Sequence, residues 1–197
     1  ITSHGSIPYR ENLVTHDSVQ VARLRGAGAI PIGKTNAPEF GYTAITKNLI
    51  FGVTRNPWNT ALTPGGSSGG SSAALSACML PLVTASDGGG STRIPASFVG
   101  AFGLKPTFGR IPNESKSLWS YGDTAAQGPL TKTVADNALY LDVTSGYSPE
   151  DPSSLPHPGF SYRTKLADGV PRKLRIAYSP DLGYAVVEKR ITRDEMY

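Results

Sequence analysis

The fold of this chain depends on two glycine-rich stretches, Pro64-Gly-Gly-Ser-Ser-Gly-Gly-Ser-Ser72 and Asp87-Gly-Gly-Gly-Ser-Thr-Arg93. A residue without a Cβ adopts positive φ values and lets other groups approach the backbone closely. Backbone N–H groups can therefore converge on one point, where they stabilise a phosphate group or the oxyanion of acyl transfer. Both stretches are predicted to be tightly turned backbone at a functional site.

The phosphate interpretation is disfavoured by detail. A phosphate-binding loop of the Walker type ends in Gly-Lys-Ser/Thr, and Gly65–Ser72 contains no lysine and no G-x-G-x-x-G spacing. The oxyanion interpretation explains more, because Gly88, Gly89 and Gly90 directly precede Ser91, whose Oγ would attack the carbonyl.

A nucleophilic serine also needs a proton acceptor. The three histidines, His4, His16 and His157, lie in no catalytic pattern, and G-x-S-x-G is absent around Ser91. A lysine base, acting through a second serine, is then favoured. From these residues alone the base stays unidentified.

Apolar periodicity and capping residues predict helices that alternate with short strands. The predicted helices are Asp17–Gly28, a segment from inside the first glycine stretch to about Leu80, Ile94–Phe102 and Thr133–Ser145. The predicted strands are Ala29–Ile32, Leu82–Ser86 and Leu174–Tyr178. Residues 146–159 are predicted to form a linker because they are rich in Ser, Pro, Asp and Gly. This order is typical of an α/β fold with a mixed or parallel sheet flanked by helices.

Composition excludes several classes of protein. The net charge is +4, but eight Lys/Arg against five Asp/Glu follow from Phe160 onward, and no aromatic residues alternate with a basic stripe. A nucleic-acid partner is therefore disfavoured. No signal peptide or membrane-spanning apolar run occurs, and the single cysteine, Cys78, predicts a buried structural thiol in a reducing, cytoplasmic setting. Because the chain starts with Ile1 rather than Met, its natural N-terminus is expected to be missing.

Five segments together resemble the core of the amidase signature family. They are G-K-T-N-A-P-E-F-G (Gly33–Gly41), R-N-P-W-N (Arg55–Asn59), P-G-G-S-S-G-G-S (Pro64–Ser71), D-G-G-G-S-T-R-I-P (Asp87–Pro95) and G-L-K-P-T-F-G-R (Gly103–Arg110). G-P-L-T-K-T-V-A-D (Gly128–Asp136) also matches the usual run of the family. The resemblance extends to about residue 148.

The resemblance implies a Ser–cis-Ser–Lys triad without metal or organic cofactor. Ser91 corresponds to the acylated nucleophile, and Ser67, 24 residues before it, to the bridging serine after a cis Gly66–Ser67 bond. Gly88, Gly89 and Gly90 would supply the oxyanion donors together with Ser91. The supporting positions would be Ser68, Asp87 and Arg93.

The resemblance also implies that parts of the family domain are missing. Relatives carry the lysine in a V-K-D-like motif shortly before a T-T-x-x-S segment, and Thr2–Ser6 resembles that later segment. The lysine would then precede Ile1. Residues 1–148 are interpreted as a partial, incomplete amidase-signature core, and 149–197 as a linker with the start of a further, truncated strand–helix section.

Several other residues are assigned ordinary structural roles. Lys34, the alternative base, and Lys105 belong to scaffold motifs. Phe40 and Trp58 are predicted to pack, and Ser71 with Ser72 to begin a helix. Glu39 and Asp136 are assigned to the first turn or the cap of a helix.

The expected function is hydrolysis of a small-molecule carboxylic amide by the full-length parent, with this chain inactive alone. Two alternatives stay open. One is the glutamine-hydrolysing subunit of a tRNA-dependent amidotransferase, which would need partner subunits. The other is a non-catalytic remnant. The substrate and the oligomeric state are left undetermined.

Overall fold

A computed structural model describes residues 1–113, 122–169 and 173–186 of the chain. Within these ranges the α-helices are α1 (Val19–Gly26), α2 (Gly69–Ser76), α3 (Arg93–Val99), α4 (Val134–Thr144) and α5 (Tyr162–Lys165). The strands are β1 (Lys47–Asn48), β2 (Gly52–Val53), β3 (Leu82–Asp87), β4 (Phe102–Gly103) and β5 (Ala126–Thr131). Short 3₁₀ turns occupy Ile7–Tyr9, Glu39–Gly41, Gly122–Thr124 and Leu166–Asp168. No helix in the described ranges is long and apolar enough to cross a membrane.

The larger sheet has the order β3-β5-β4, and both of its pairings are antiparallel. Leu82 to Asp87 pair with Thr131 to Ala126, so the end of β3 lies beside the start of β5. Strands β3 and β4 run in the same direction, because each is antiparallel to β5, and α3 connects them. The β3–α3–β4 unit therefore has a strand inserted between its two strands.

The core lies between this sheet and the helices α2 and α3. Its buried side chains are Leu75, Val83, Ala85, Ala96 and Leu130, each at most 6% exposed. Val83 and Ala85 come from alternate positions of β3, Leu130 comes from β5, and Leu75 and Ala96 come from α2 and α3. Alternate residues of a strand face the same side of a sheet, so these strands and the adjacent helices share one core. A second cluster, made of Ile111, Tyr140 and Leu141, packs α4 beside it.

The predicted α/β class is confirmed, and the elements around the core were predicted well. Helix α4 begins as its capping signal indicates: Thr133 Oγ1 accepts the N–H of Asp136 at 3.1 Å and donates to the Asp136 carboxylate at 2.7 Å. Helix α3 stops sooner than predicted, because Gly100 adopts φ 69° and the chain enters β4 at Phe102.

The pairing of the strands differs from the predicted mixed or parallel sheet. Every hydrogen-bonded strand pair in the described ranges is antiparallel. A βαβ pattern in the sequence predicts that its two strands run in the same direction, but it does not predict that they are neighbours in the sheet. Here β5, which follows much later in the chain, lies between β3 and β4. The sequence pattern carried no information about this insertion.

Two predicted strands are absent from the described residues. Segment Ala29–Ile32 has no regular structure, and Ile30 and Ile32 are 85% and 71% exposed. Segment Leu174–Tyr178 is likewise irregular, with Ile176 82% exposed. Neither finds a hydrogen-bonded neighbour among the described strands, and a strand forms only when one is present.

Three further expectations need correction. Helix α1 begins at Val19 rather than at Asp17, and the Asp17 carboxylate pairs with Arg25 at 2.6 Å. Cys78 is exposed, because the helix before it ends at Ser76 and Cys78 turns away with φ 58°. Trp58 is 74% exposed, although its indole N–H donates to the Val99 carbonyl at 2.8 Å.

Candidate active site

Asp87 organises the glycine loop that follows β3. Its side chain is fully buried. One carboxylate oxygen accepts the Gly90 N–H at 2.7 Å, and the other accepts the Thr92 and Arg93 N–H groups at 3.2 and 3.3 Å. The Arg93 guanidinium adds two more bonds, at 2.9 and 3.0 Å. These five hydrogen bonds to one carboxylate hold the loop of residues 88–93 in a turn around Asp87.

The surroundings of Asp87 favour its ionised form. Burial alone would raise the pKa of this carboxyl group. The hydrogen bonds from Arg93, Gly90 and Thr92, together with the charge of Arg93, outweigh burial and hold the pKa below its ordinary value. The same pairing raises the pKa of Arg93. The carboxylate is therefore charged at neutral pH and keeps its five bonds.

The first glycine stretch runs into α2, and the Gly66–Ser67 peptide bond is cis, as the family resemblance implied. Glycine is required here because the backbone is crowded: a Cβ at Gly66 would lie 2.8 Å from the backbone of Thr43 and Ala44. Ser71 and Ser72 have the structural roles predicted for them. The Ser71 hydroxyl bonds to the Thr35 hydroxyl at 2.9 Å, and Ser72 Oγ donates to the Pro64 and Gly69 carbonyls at 3.1 and 3.0 Å.

Ser68 connects the two glycine stretches. Its backbone N–H donates to the Ser91 carbonyl at 3.3 Å. Its hydroxyl accepts the Ser86 N–H at 3.3 Å and lies 3.5 Å from the Ser86 carbonyl. The segment that carries Ser67 is therefore joined to the end of β3 and to the segment that carries Ser91.

A cleft of about 1350 Å³ opens where the two stretches meet. Its wall includes Ser67, Ser91, Ser68, Gly88 and Gly89. Ser67 is 7% exposed and Ser91 is half-buried, so solvent reaches only part of either residue. The structure thus brings together the residues that the sequence singled out from two separate motifs.

Gly90 differs from the other glycines of its loop. It is buried, its φ is 124°, and its N–H is bonded to Asp87 rather than directed at the cleft. Gly90 is absent from the described cleft wall, whereas Gly88 and Gly89 belong to it. The three glycines therefore cannot act alike, and Gly90 shapes the loop.

The cleft wall also carries Lys34 and His4. Lys34 Nζ donates to the Ile1 carbonyl at 3.0 Å and bonds to the Thr2 hydroxyl. His4 packs against the rings of Tyr9 and Phe40, and burial, followed by the charge of Lys34, lowers its pKa. Neither side chain hydrogen-bonds to Ser67 or Ser91 in the described structure.

Sequence reasoning missed part of the cleft wall. Gln20, Gln127 and Asn113 line it together with the serines. Gln127 precedes Gly128 in β5 and pairs across the sheet with Ser86, but no local motif marks it. No group of three or more metal-ligating side chains occurs among the described residues.

Comparison with known proteins agrees with this geometry. The sequence model of the amidase family matches residues 1–195. An acylamidase from Rhodococcus erythropolis is 45% identical over 190 residues, which are 96% of this chain and 39% of the acylamidase. A glutamyl-tRNA(Gln) amidotransferase subunit from Syntrophobacter fumaroxidans is 43% identical over 171 residues, which are 86% of this chain and 35% of the amidotransferase chain.

Solved structures agree as well. A bacterial aryl acylamidase of the amidase signature family superimposes with a TM-score of 0.74 at 37% identity, over 80% of this chain and 32% of the other. A 6-aminohexanoate cyclic dimer hydrolase gives 0.76 at 38% identity, over 84% and 35%. The chain covers between 32% and 39% of the length of these relatives. Its glycine stretches, its shared cleft and its match over nearly the whole sequence make the chain a member of the amidase signature family.

Proposed function

We propose that the protein to which this chain belongs hydrolyses a carboxylic amide, with Ser91 as the nucleophile and Ser67 as the proton relay. The observation that supports this most is the meeting of two separate glycine stretches in one cleft, with Ser67 and Ser91 both in its wall. The similarity to acylamidases supports the same reaction class.

In the proposed first step, Ser91 Oγ attacks the carbonyl carbon and its proton passes to Ser67, which passes its own proton to a neutral lysine. The N–H groups of Gly88, Gly89 and Ser91 are the proposed donors to the oxyanion. Gly90 is left out of this set because its N–H already bonds to Asp87 at 2.7 Å.

In the second step the relay runs backward and protonates the leaving nitrogen as the C–N bond breaks. Ammonia or an amine departs, and the acyl group stays on Ser91 as an ester. Water then attacks the ester and loses a proton through the same relay to the lysine. As the C–O bond to Ser91 breaks, the relay returns that proton to Ser91 Oγ and the acid is released. No cofactor takes part in this scheme. Ser68, Asp87 and Arg93 are the proposed supporting residues, since their bonds shape the segments that carry the reacting groups.

The proposed lysine is the one that the family resemblance puts ahead of Ile1. Lys34 is the alternative within the described chain, but its Nζ bonds to Ile1 and Thr2. A serine hydroxyl is a poor nucleophile near neutral pH without a positioned base. Residues 1–197 by themselves are therefore proposed to be inactive.

A serine-directed fluorophosphonate probe tests the nucleophile. In the complete protein we expect it to label Ser91 and no other serine, as located by peptide mass spectrometry. Ser91→Ala should abolish both labelling and the release of amine from a simple amide. Ser71→Ala is the matched control, because its hydroxyl bonds to Thr35, and it should keep most of both. Labelling that persists in Ser91→Ala would exclude this nucleophile.

A second candidate function is glutamine hydrolysis within a tRNA-dependent amidotransferase. The observation in its favour is the 43% identity to a glutamyl-tRNA(Gln) amidotransferase chain. The two candidates differ in their need for partners. A free-standing amidase releases amine without other subunits, whereas a chain of an amidotransferase would hydrolyse glutamine efficiently only with its partners and tRNA present.

A further inference from the structure

A chain of hydrogen-bonded side chains runs from helix α4 to the cleft wall. Tyr140 OH donates to Gln20 Oε1 at 2.7 Å, and Gln20 Nε2 donates to Gln127 Oε1 at 2.8 Å. Gln127 Nε2 donates to Asn113 Oδ1 at 3.0 Å, and the Asn113 N–H donates to the buried Asp151 carboxylate at 2.8 Å. We call these five residues the amide chain. It joins α4 to α1, β5 and Asn113, which lie far apart in sequence, and it ends at Asp151 in the segment after α4.

The amide chain fixes the orientation of the Gln127 carboxamide. Tyr140 and Gln20 are 1% and 8% exposed, so the first two members have little room to turn. Because Gln20 presents its Nε2 to Gln127, the Gln127 oxygen faces α1 and its nitrogen faces Asn113. A binding group that is oriented before the ligand arrives loses little conformational entropy on binding.

Gln127 also lies close to the proposed catalytic serines. It pairs across the sheet with Ser86, so the two side chains lie on the same face of the sheet. The Ser86 N–H bonds to Ser68 Oγ, and the Ser68 N–H bonds to the Ser91 carbonyl. Ser67, Ser91 and Gln127 belong to the wall of one cleft.

Part of the hydrogen-bonding capacity of Gln127 is unused. A carboxamide has two N–H donors and an oxygen with two lone pairs. In the described structure Gln127 uses one N–H, to Asn113, and one lone pair, for Gln20. One donor and one acceptor of this half-buried side chain are therefore available to a ligand in the cleft.

We propose that Gln127 determines substrate specificity by binding a neutral hydrogen-bonding group of the substrate, such as a carboxamide or a hydroxyl. Such a group offers a donor and an acceptor together, as Gln127 does. A carboxylate would bring only acceptors against the Gln127 oxygen, and an ammonium only donors against its nitrogen. The proposal rests on the proposed amidase function, and its substrate class is an amide that carries a second, uncharged polar group.

The test uses the complete protein and two amides of equal chain length, one whose acyl group ends in a carboxamide and one whose acyl group ends in a methyl group. The measured quantity is the ratio of kcat/KM for the carboxamide substrate to kcat/KM for the methyl substrate. Gln127→Met keeps the length of the side chain and removes its amide. We expect this substitution to lower the ratio by about tenfold, since one hydrogen bond is lost only for the polar substrate.

Two more variants distinguish specificity from a structural role. Tyr140→Phe removes only the hydroxyl that orients Gln20, and the ratio should fall in the same direction by a smaller factor. Ser97→Ala, in the exposed part of α3, is the control and should leave the ratio unchanged. Because the quantity is a ratio, a loss of folded protein in Gln127→Met or Tyr140→Phe cancels.

An equal loss for both substrates, or an unchanged ratio, in Gln127→Met would overturn the proposal. That result would leave the amidase function intact as long as wild type releases amine and Ser91 is labelled by fluorophosphonate. If wild type hydrolysed neither amide and Ser91 were not labelled, the function and the specificity would both be overturned.

Discussion

Asp87 is the residue on whose charge the glycine loop depends. Its pKa is lowered in the folded protein, so its ionisation stabilises the fold above the ordinary pKa of an aspartate. That contribution is lost as the pH falls through the lowered value, because the carboxylate becomes protonated and loses its charge-assisted bonds to Arg93. Asp87→Asn should therefore lower the free energy of unfolding at pH 7 by about 1–3 kcal/mol.

The pH dependence of the free energy of unfolding distinguishes the contribution of the Asp87 charge from that of its packing. The difference between wild type and Asp87→Asn in urea unfolding should shrink as the pH falls from 7 to below about 4. Asp168→Asn is the control: Asp168 pairs with Lys165 at the surface, where ion pairs contribute little. A difference that is the same at pH 3 and pH 7 would show that the shape of Asp87, not its charge, holds the loop. Fluorophosphonate labelling of Ser91 in Asp87→Asn should also slow.

At the scale of elements, helix α2 packs against the backbone of Asn36 so closely at Gly70 that no side chain fits between them. A Cβ at Gly70 would lie 2.3 Å from the Asn36 carbonyl oxygen and 2.4 Å from its nitrogen. The Gly70 N–H donates to that same carbonyl at 3.0 Å. Gly70→Ala must displace backbone, so it should destabilise the protein by about 1–3 kcal/mol.

Gly26 offers the matched control. It ends α1, and a Cβ there would meet nothing within 4 Å. Gly26→Ala should leave stability unchanged or raise it by up to about 1 kcal/mol, because alanine favours the helix. Thermal unfolding midpoints measure both effects. Equal midpoints for the two variants would mean that α2 can move away from Asn36 without loss.

At the scale of the whole molecule, the activity of residues 1–197 alone tests the proposal that the lysine base is the one that the family resemblance puts ahead of Ile1. The amine released by residues 1–197 alone and by the complete protein should be compared at equal concentration and equal pH. General-base assistance contributes about 10²–10⁴-fold to a rate, so the shorter chain should show no measurable turnover. If it were as active as the complete protein, a base would lie within residues 1–197, and Lys34→Ala would be the next variant to assay.

Local motifs explain what could be predicted. Helix α4, helix α3, strand β3 and the tight turns at the glycine stretches follow from caps, periodicity and residues without a Cβ, all of which act over a few neighbouring positions. The exposed Ala29–Ile32 and Leu174–Tyr178 were predicted to be strands on the same local grounds. That prediction failed because a strand also needs a neighbouring strand to hydrogen-bond with, and a local sequence pattern does not indicate whether such a neighbour is present.

The sequence by itself determined the family, the two glycine stretches and the serines within them, because a tight loop and its reactive side chain are formed by residues that are neighbours in the chain. Only the tertiary structure decided that β5 lies between β3 and β4, that Asp87 takes the Gly90 N–H away from the cleft, and that Gln127 shares the cleft with the serines. Each of these depends on contacts between residues far apart in the chain. Such contacts are chosen by the packing of the whole core, which no single segment encodes.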